Sequence, residues 1–89
     1  MTATTLQRYI AAEKEWKDWC RKNSVRLGGD AEVDAALVNF MNLLWLKGHK
    51  PWRGERLMAA MLALHPDFNK TGSRKLPRAW RSLQGWIRI

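Results

Sequence analysis

The stretch DAEVDAALVNFMNLLWLKGHKPWRGERLMAAMLAL, residues 30–64, decides the fold. Its first part has apolar residues at helical spacing, which predicts a buried helix over about 31–47 with Asp30 as its N-cap. The apolar face of this helix consists of Val33, Leu37, Phe40, Met41 and Leu44, and is broadened by Leu43, Trp45 and Leu46. Gly48 is suited to end the helix in a left-handed cap. A third helix over about 52–64 follows, because a second apolar run with helical periodicity begins there.

Two further helices extend the pattern on either side. A capping box at Thr4 and Gln7 predicts a first helix over about 5–22. A fourth helix is predicted over about 74–87. Strand-like alternation is missing throughout, so the sequence predicts an all-α fold. We expect one domain, residues 1–89, built as a four-helix orthogonal bundle of two helical hairpins.

The size and composition of the chain restrict its class. With 89 residues, of which 46% are hydrophobic, the chain suits a single folded core. The single cysteine, Cys20, excludes an intramolecular disulfide framework, and together with His49 and His65 it shows no zinc-ligand spacing. The longest apolar run, LVNFMNLLWL, is too short to span a membrane, and the first residues lack a secretory signal. We therefore expect a soluble intracellular protein of the cytoplasm or nucleus, without a cofactor, a metal or a membrane partner.

Charge is distributed unevenly between the two halves of the sequence. Residues 1–45 contain six basic and six acidic side chains and are neutral. Residues 46–89 contain ten Lys or Arg against only Glu55 and Asp67, so the whole formal charge of +8 lies there. Such asymmetry favours a polyanionic partner.

The fourth helix separates its apolar and basic residues most clearly. At about 100° per residue, its side chains divide between two opposite faces. One face is predicted to be core: Leu76, Trp80, Leu83 and Ile87. The other face is basic: Arg74, Arg78, Arg81 and Arg88. Arginine presents a planar, permanently charged fork that matches phosphate oxygens, so the basic face predicts phosphate binding; the alternative is an ordinary solvated face.

More cations surround the turn between the second and third helices, and Lys70 and Lys75 add to them near the start of the fourth helix. The predicted DNA-binding residues are Lys47, Lys50, Arg53, Arg56, Arg74, Lys75, Arg78, Arg81 and Arg88. Trp52 lies between two of these cations and can stack on a base or sugar. It can equally serve as the hydrophobic staple of the third helix, which is the interpretation we favour slightly.

Three segments resemble the core-binding domain of tyrosine recombinases, the phage-integrase family. YIAAEKEWKDWCRKN is similar to the first helix of that domain, and VDAALVNFMNLLWLKGHKPWRGERLMAAMLALHPDF to its second and third helices. RAWRSLQGWIRI is similar to its closing helix, so the resemblance runs from about Leu6 to Arg88. It implies a four-helix, SAM-like fold that forms half of a clamp around duplex DNA, with the second and fourth helices toward the DNA.

The resemblance implies binding without catalysis. Recombinases cleave DNA with a tyrosine nucleophile that lies in a following catalytic domain, whereas the only tyrosine here, Tyr9, lies in the first helix. We therefore expect a fragment of a recombinase or a stand-alone binding module. The alternatives are a helical protein-interaction module that uses exposed tryptophans and methionines, and a basic peripheral membrane binder.

Overall fold

The computed structural model describes residues 2–68 and 75–88. Within these residues the chain forms four α-helices, α1 (Ala3–Lys22), α2 (Asp30–Leu46), α3 (Trp52–Leu64) and α4 (Pro77–Arg88), one 3₁₀ turn (Pro66–Phe68) and no strand. The prediction of an all-α, four-helix fold is therefore confirmed. The fourth helix begins at Pro77 rather than at 74, because proline suits the first helical position and pushes the preceding residue toward extended geometry.

Local hydrogen bonds explain where α1 begins and where α2 ends. The side chain of Thr2 caps α1 by accepting from the Thr5 amide at 3.1 Å, so the predicted capping box at Thr4 is wrong. At the end of α2, Gly48 has a φ of 81°, which is the left-handed conformation predicted for it. The Gly48 amide donates to the Trp45 carbonyl at 3.0 Å, and the following His49 amide donates to the carbonyl of Leu44 at 3.0 Å. This pair of bonds closes the helix. At its other end the predicted N-cap Asp30 is wrong, because Gly29 is the N-cap and Asp30 is the first helical residue.

The start of α4 is capped by a side chain from another helix. Asp34, in the N-terminal part of α2, is only 4% exposed. Its two carboxylate oxygens accept from the backbone amides of Arg78 at 3.0 Å and Ala79 at 2.7 Å. A buried carboxylate needs such partners, since it would otherwise lose its hydration without compensation. Asp34 therefore fixes the position of α4 against α2.

The most extensive contacts join helices that are not neighbours in the chain: α1 packs on α3, and α2 packs on α4. The contacts between the two hairpins, α1–α2 and α3–α4, are thus more extensive than the contacts between the two helices within each hairpin. Gly54 permits the approach of α4 to α3, because a Cβ there would lie 2.9 Å from the Trp86 ring and 3.0 Å from a Leu83 methyl. Among the described helices, none is both long and apolar enough to cross a bilayer.

The buried face of α4 differs from the predicted one. It consists of Ala79, Leu83 and Trp86, with Leu76 just before the helix. Ile87 is 50% exposed, so its predicted place in the core is wrong, and Trp80 only packs against the edge of the core. The broad apolar face predicted for α2 also ends early. Trp45 and Leu46 are 47% and 74% exposed, because α4 covers only one side of the last turn of α2.

Candidate nucleic-acid interface

Three of the predicted arginines lie together on the outer face of α4. Arg78, Arg81 and Arg88 are all exposed, whereas Ala79 and Leu83 are buried on the other side. Positions 78 and 88 are about 15 Å apart along a helix that rises about 1.5 Å per residue. Within the described residues, none of these three guanidinium groups forms an ion pair. We call these residues the arginine stripe; Arg74, also predicted for it, lies outside the described residues.

The arginine stripe can bind phosphate through side chains only. The N-terminus of a helix often binds anions through its free backbone amides. In α4 the amides of Arg78 and Ala79 already donate to the buried Asp34 carboxylate. A phosphate near this helix would therefore meet guanidinium groups rather than the backbone, which suits contact along a polyanion instead of capture of a single ion.

The predicted cations at the turn between α2 and α3 fall into two classes. Lys47 and Lys50 are exposed. Arg53, by contrast, donates from Nη2 to the two carboxylate oxygens of Glu15 at 2.7 and 3.0 Å. Its Nη1 lies 3.1 Å from Nδ1 of His49. Arg53 thus ties α1 to the start of α3, and most of its charge is satisfied inside the protein.

Arg56 is held against an exposed aromatic ring. Its guanidinium carbon lies 4.6 Å from the centroid of the Trp52 ring, which is cation–π geometry. Trp52 is 50% exposed, so it does not act mainly as the buried staple that the sequence favoured. Arg8, from the neutral half of the sequence, lines a groove of about 160 Å³ with both residues. No sequence pattern indicates Arg8, because only the crossing of α1 over α3 brings it there.

Only the C-terminal end of the arginine stripe lies near the turn between α2 and α3. Asp34 contacts the start of α4, while Trp45 and Trp86 line one groove near the ends of α2 and α4. The two helices therefore run in the same direction. Because Trp86 also contacts the first turn of α3, Arg88 lies near the end of the bundle that carries Lys47 and Lys50. Lys75, the remaining predicted residue, is exposed just before α4.

Part of the charge of α1 is paired locally. Lys17 lies 3.2 Å from Glu13, and Arg21 bonds to Asp18. Glu13 also bonds to His65 at the end of α3. Three cations of α1, namely Arg8, Lys14 and Lys22, have no ion-pair partner among the described residues, but α1 also carries acids, whereas α4 carries none.

Cys20 and the two histidines form no joint site. Cys20 is 1% exposed in the core, and burial raises the pKa of its thiol. The thiol is therefore protonated and unreactive at neutral pH. His49 contacts Arg53, and His65 contacts Glu13. The described residues contain no cluster of three or more His, Cys, Asp or Glu side chains suited to a metal ion.

Comparison of the chain with protein-family models, with curated proteins and with solved structures gives no match. The resemblance to the recombinase core-binding domain thus rests on the sequence segments alone, and the geometry of the basic surface has to carry any proposal about function.

Proposed function

We propose that this chain is a non-catalytic DNA-binding module that contacts the backbone of duplex DNA through the arginine stripe. The observation that carries the proposal is the contrast within α4: its inner face is buried, while Arg78, Arg81 and Arg88 are exposed and have no ion-pair partner among the described residues. A row of exposed guanidinium groups without acids beside them produces a positive surface potential, which attracts a polyanion.

The surrounding charges support a phosphate partner. The carboxylate that contacts α4, Asp34, is buried and bonds to backbone amides, so it forms no ion pair with the arginine side chains of the stripe. Lys47 and Lys50 are exposed at the end of the bundle where α4 finishes, and Lys47 also lines a groove with Lys14 and Lys22 of α1. Arginine forks bind phosphate oxygens in pairs, and each neutralised phosphate releases counterions, which favours binding at low salt.

The family resemblance supports the same surface. In recombinase core-binding domains the second and fourth helices face the DNA. Here α2 and α4 pack against each other. Because α2 contains no Lys or Arg, the resemblance is supported by the cations of α4 and not by α2. The proposal assigns binding, and no chemistry, to this chain.

Titration of a short labelled DNA duplex at several salt concentrations tests the proposal. The double variant Arg78→Ala/Arg81→Ala should bind more weakly to every sequence. Its salt dependence should fall by about one unit of slope for each phosphate that the variant no longer neutralises. Folding should be retained, because both side chains are exposed and unpaired within the described residues.

The matched control removes the same charge from the neutral half of the sequence. Lys17 of α1 and Arg26 of the loop after it are exposed, so the variant Lys17→Ala/Arg26→Ala should change the affinity far less. Wild-type protein without salt-sensitive binding would contradict the proposal. An equal loss of affinity in the two double variants would do the same, because it would show that only the net charge matters.

A protein-interaction module is the second candidate function. It is favoured by three exposed apolar side chains at the ends of α2 and α4: Trp45, Leu46 and Ile87. Exposed apolar surface of this kind is typical of contacts with partner proteins. Under this alternative, Leu46→Ser would abolish partner binding while duplex DNA would not bind to the wild type in a salt-sensitive manner.

A further inference from the structure

A groove between α2 and α4 lies beside the arginine stripe. Its volume is about 250 Å³, and it is lined by Met41, Asn42, Trp45, Ser82, Gly85 and Trp86. Met41 and Trp86 are 1% and 8% exposed and form an apolar floor. Trp45 is 47% exposed and forms a wall with an accessible indole ring.

Two of the groove residues are direct neighbours of the stripe. Ser82 lies one helical turn after Arg78, and Gly85 lies one turn after Arg81, so these pairs are adjacent on the surface of α4. Gly85 carries no side chain, and a Cβ placed there would have no neighbour within 4 Å. The space between the guanidinium groups and the groove is therefore open.

The combination fits one nucleotide. The arginines suit a phosphate, and the adjacent indole suits the face of a base, because bases stack on aromatic side chains with little dependence on sequence. Asn42 and Ser82 bring an amide and a hydroxyl to the groove, which can bond to the edge of a base. In a duplex the bases are paired and stacked inside, so only an unpaired base can enter a side groove.

We propose that the groove between α2 and α4 binds an unpaired nucleobase whose phosphate lies on Arg78 or Arg81. The inference rests on the proposed function and deepens it: the preferred ligand is duplex DNA that carries unpaired nucleotides, at an end or at a flap. An apolar protein segment would fill the groove as well, but it would leave the bordering arginines without partners. The positive charge around the groove favours the nucleotide.

The experiment compares two labelled DNAs: a plain duplex and the same duplex with a single-stranded extension. Wild-type protein should bind the extended DNA more tightly. Gly85→Leu fills the open space, and Trp45→Ala removes the stacking ring. Each should weaken binding of the extended DNA by roughly 5- to 150-fold, the value of one base stack, while plain-duplex affinity stays unchanged.

Folding and specificity have matched controls. Gly85→Leu should retain or raise the melting temperature, because the Cβ has space and leucine favours helix more than glycine does. Trp52→Ala is the control for the ring, since Trp52 is 50% exposed like Trp45 but lines other grooves, on α3. It should keep the preference for the extended DNA.

The outcomes separate the two proposals. Equal binding of both DNAs by the wild type, with weaker binding by Arg78→Ala/Arg81→Ala, would overturn the base site and leave the DNA-binding function in place. An equal fall in the affinity of Gly85→Leu for both DNAs would also overturn it, because the groove would then contact the duplex itself. A wild type that binds neither DNA in a salt-sensitive manner would remove the proposed function and the base site together.

Discussion

Helices α1 and α4 each bury a tryptophan, Trp16 and Trp86, yet only α1 contains acids. On α1, two of the five basic side chains pair with acids of the same helix, as in the Lys17–Glu13 pair, and Glu15 binds Arg53 of α3. On α4 the arginines face outward without an ion-pair partner in the described part of the chain. The comparison teaches that a count of charges says little about a binding surface until the internal pairs are removed from it.

The largest predicted effect on stability comes from truncating the buried aromatic ring of α4. Trp86→Ala should destabilise the protein by about 3–5 kcal/mol, because a buried aromatic ring is truncated and a cavity remains. Urea unfolding measures the change. Ile87→Ala, at the next position but half-exposed, should change stability by less than about 0.5 kcal/mol. Similar destabilisation by the two variants would show that α4 is rotated from the orientation described.

Removal of the side chain that caps α4 should give the second-largest loss of stability. Asp34→Ala leaves the amides of Arg78 and Ala79 without an acceptor, which should cost about 1–3 kcal/mol of unfolding free energy. Amide hydrogen exchange should increase first at the start of α4. Glu32→Ala is the control, since Glu32 is exposed on the same turn of α2. If Glu32→Ala lowered the stability as much as Asp34→Ala, the negative charge of α2, and not the cap, would hold α4 in place.

The smallest predicted effect on stability concerns the ion pair between Glu15 of α1 and Arg53 of α3. A double-mutant cycle of Glu15→Ala and Arg53→Ala should give a coupling of about 0.2–1 kcal/mol, because both side chains are partly solvated. Thermal or urea unfolding of the four proteins measures it. A coupling well above this range would show that the ion pair, and not the apolar contact of α1 with α3, positions the first helix.

The sequence predicts α2 and α3 well because their boundaries are set locally. Gly48 ends α2 through its positive φ, and Pro66 stops α3 from continuing. The orientation of α4 could not be fixed in the same way. Its apolar positions form a wide band. One orientation of the helix would bury Trp80 and Ile87, and another would bury Ala79 and Trp86. The small Ala79 carries little weight in such a pattern, although close packing against α2 favours a small residue there.

The exposure of the basic residues could be predicted from the sequence, but their ion pairs could not. The arginine stripe follows from helical spacing alone, and exposure of Arg78, Arg81 and Arg88 agrees with it. The bond between Arg53 and Glu15 joins residues 38 positions apart and depends on how two helices cross, which no local pattern encodes. One feature of the sequence does indicate the role of Asp34. It shares a helical face with Leu37 and Met41, and a carboxylate on an apolar face requires a hydrogen-bond donor from elsewhere in the fold.

That carboxylate also makes the packing of α2 depend on α4. Asp34 lies 44 positions before its first donor, so it lacks both amide partners until α4 packs on α2. Before that point a charged Asp34 stays hydrated, because burial without a hydrogen-bond partner is costly. Packing of α4 supplies the two donors and buries Trp86 as well. We therefore expect α2 to lose its ordered apolar packing in a variant whose α4 cannot form.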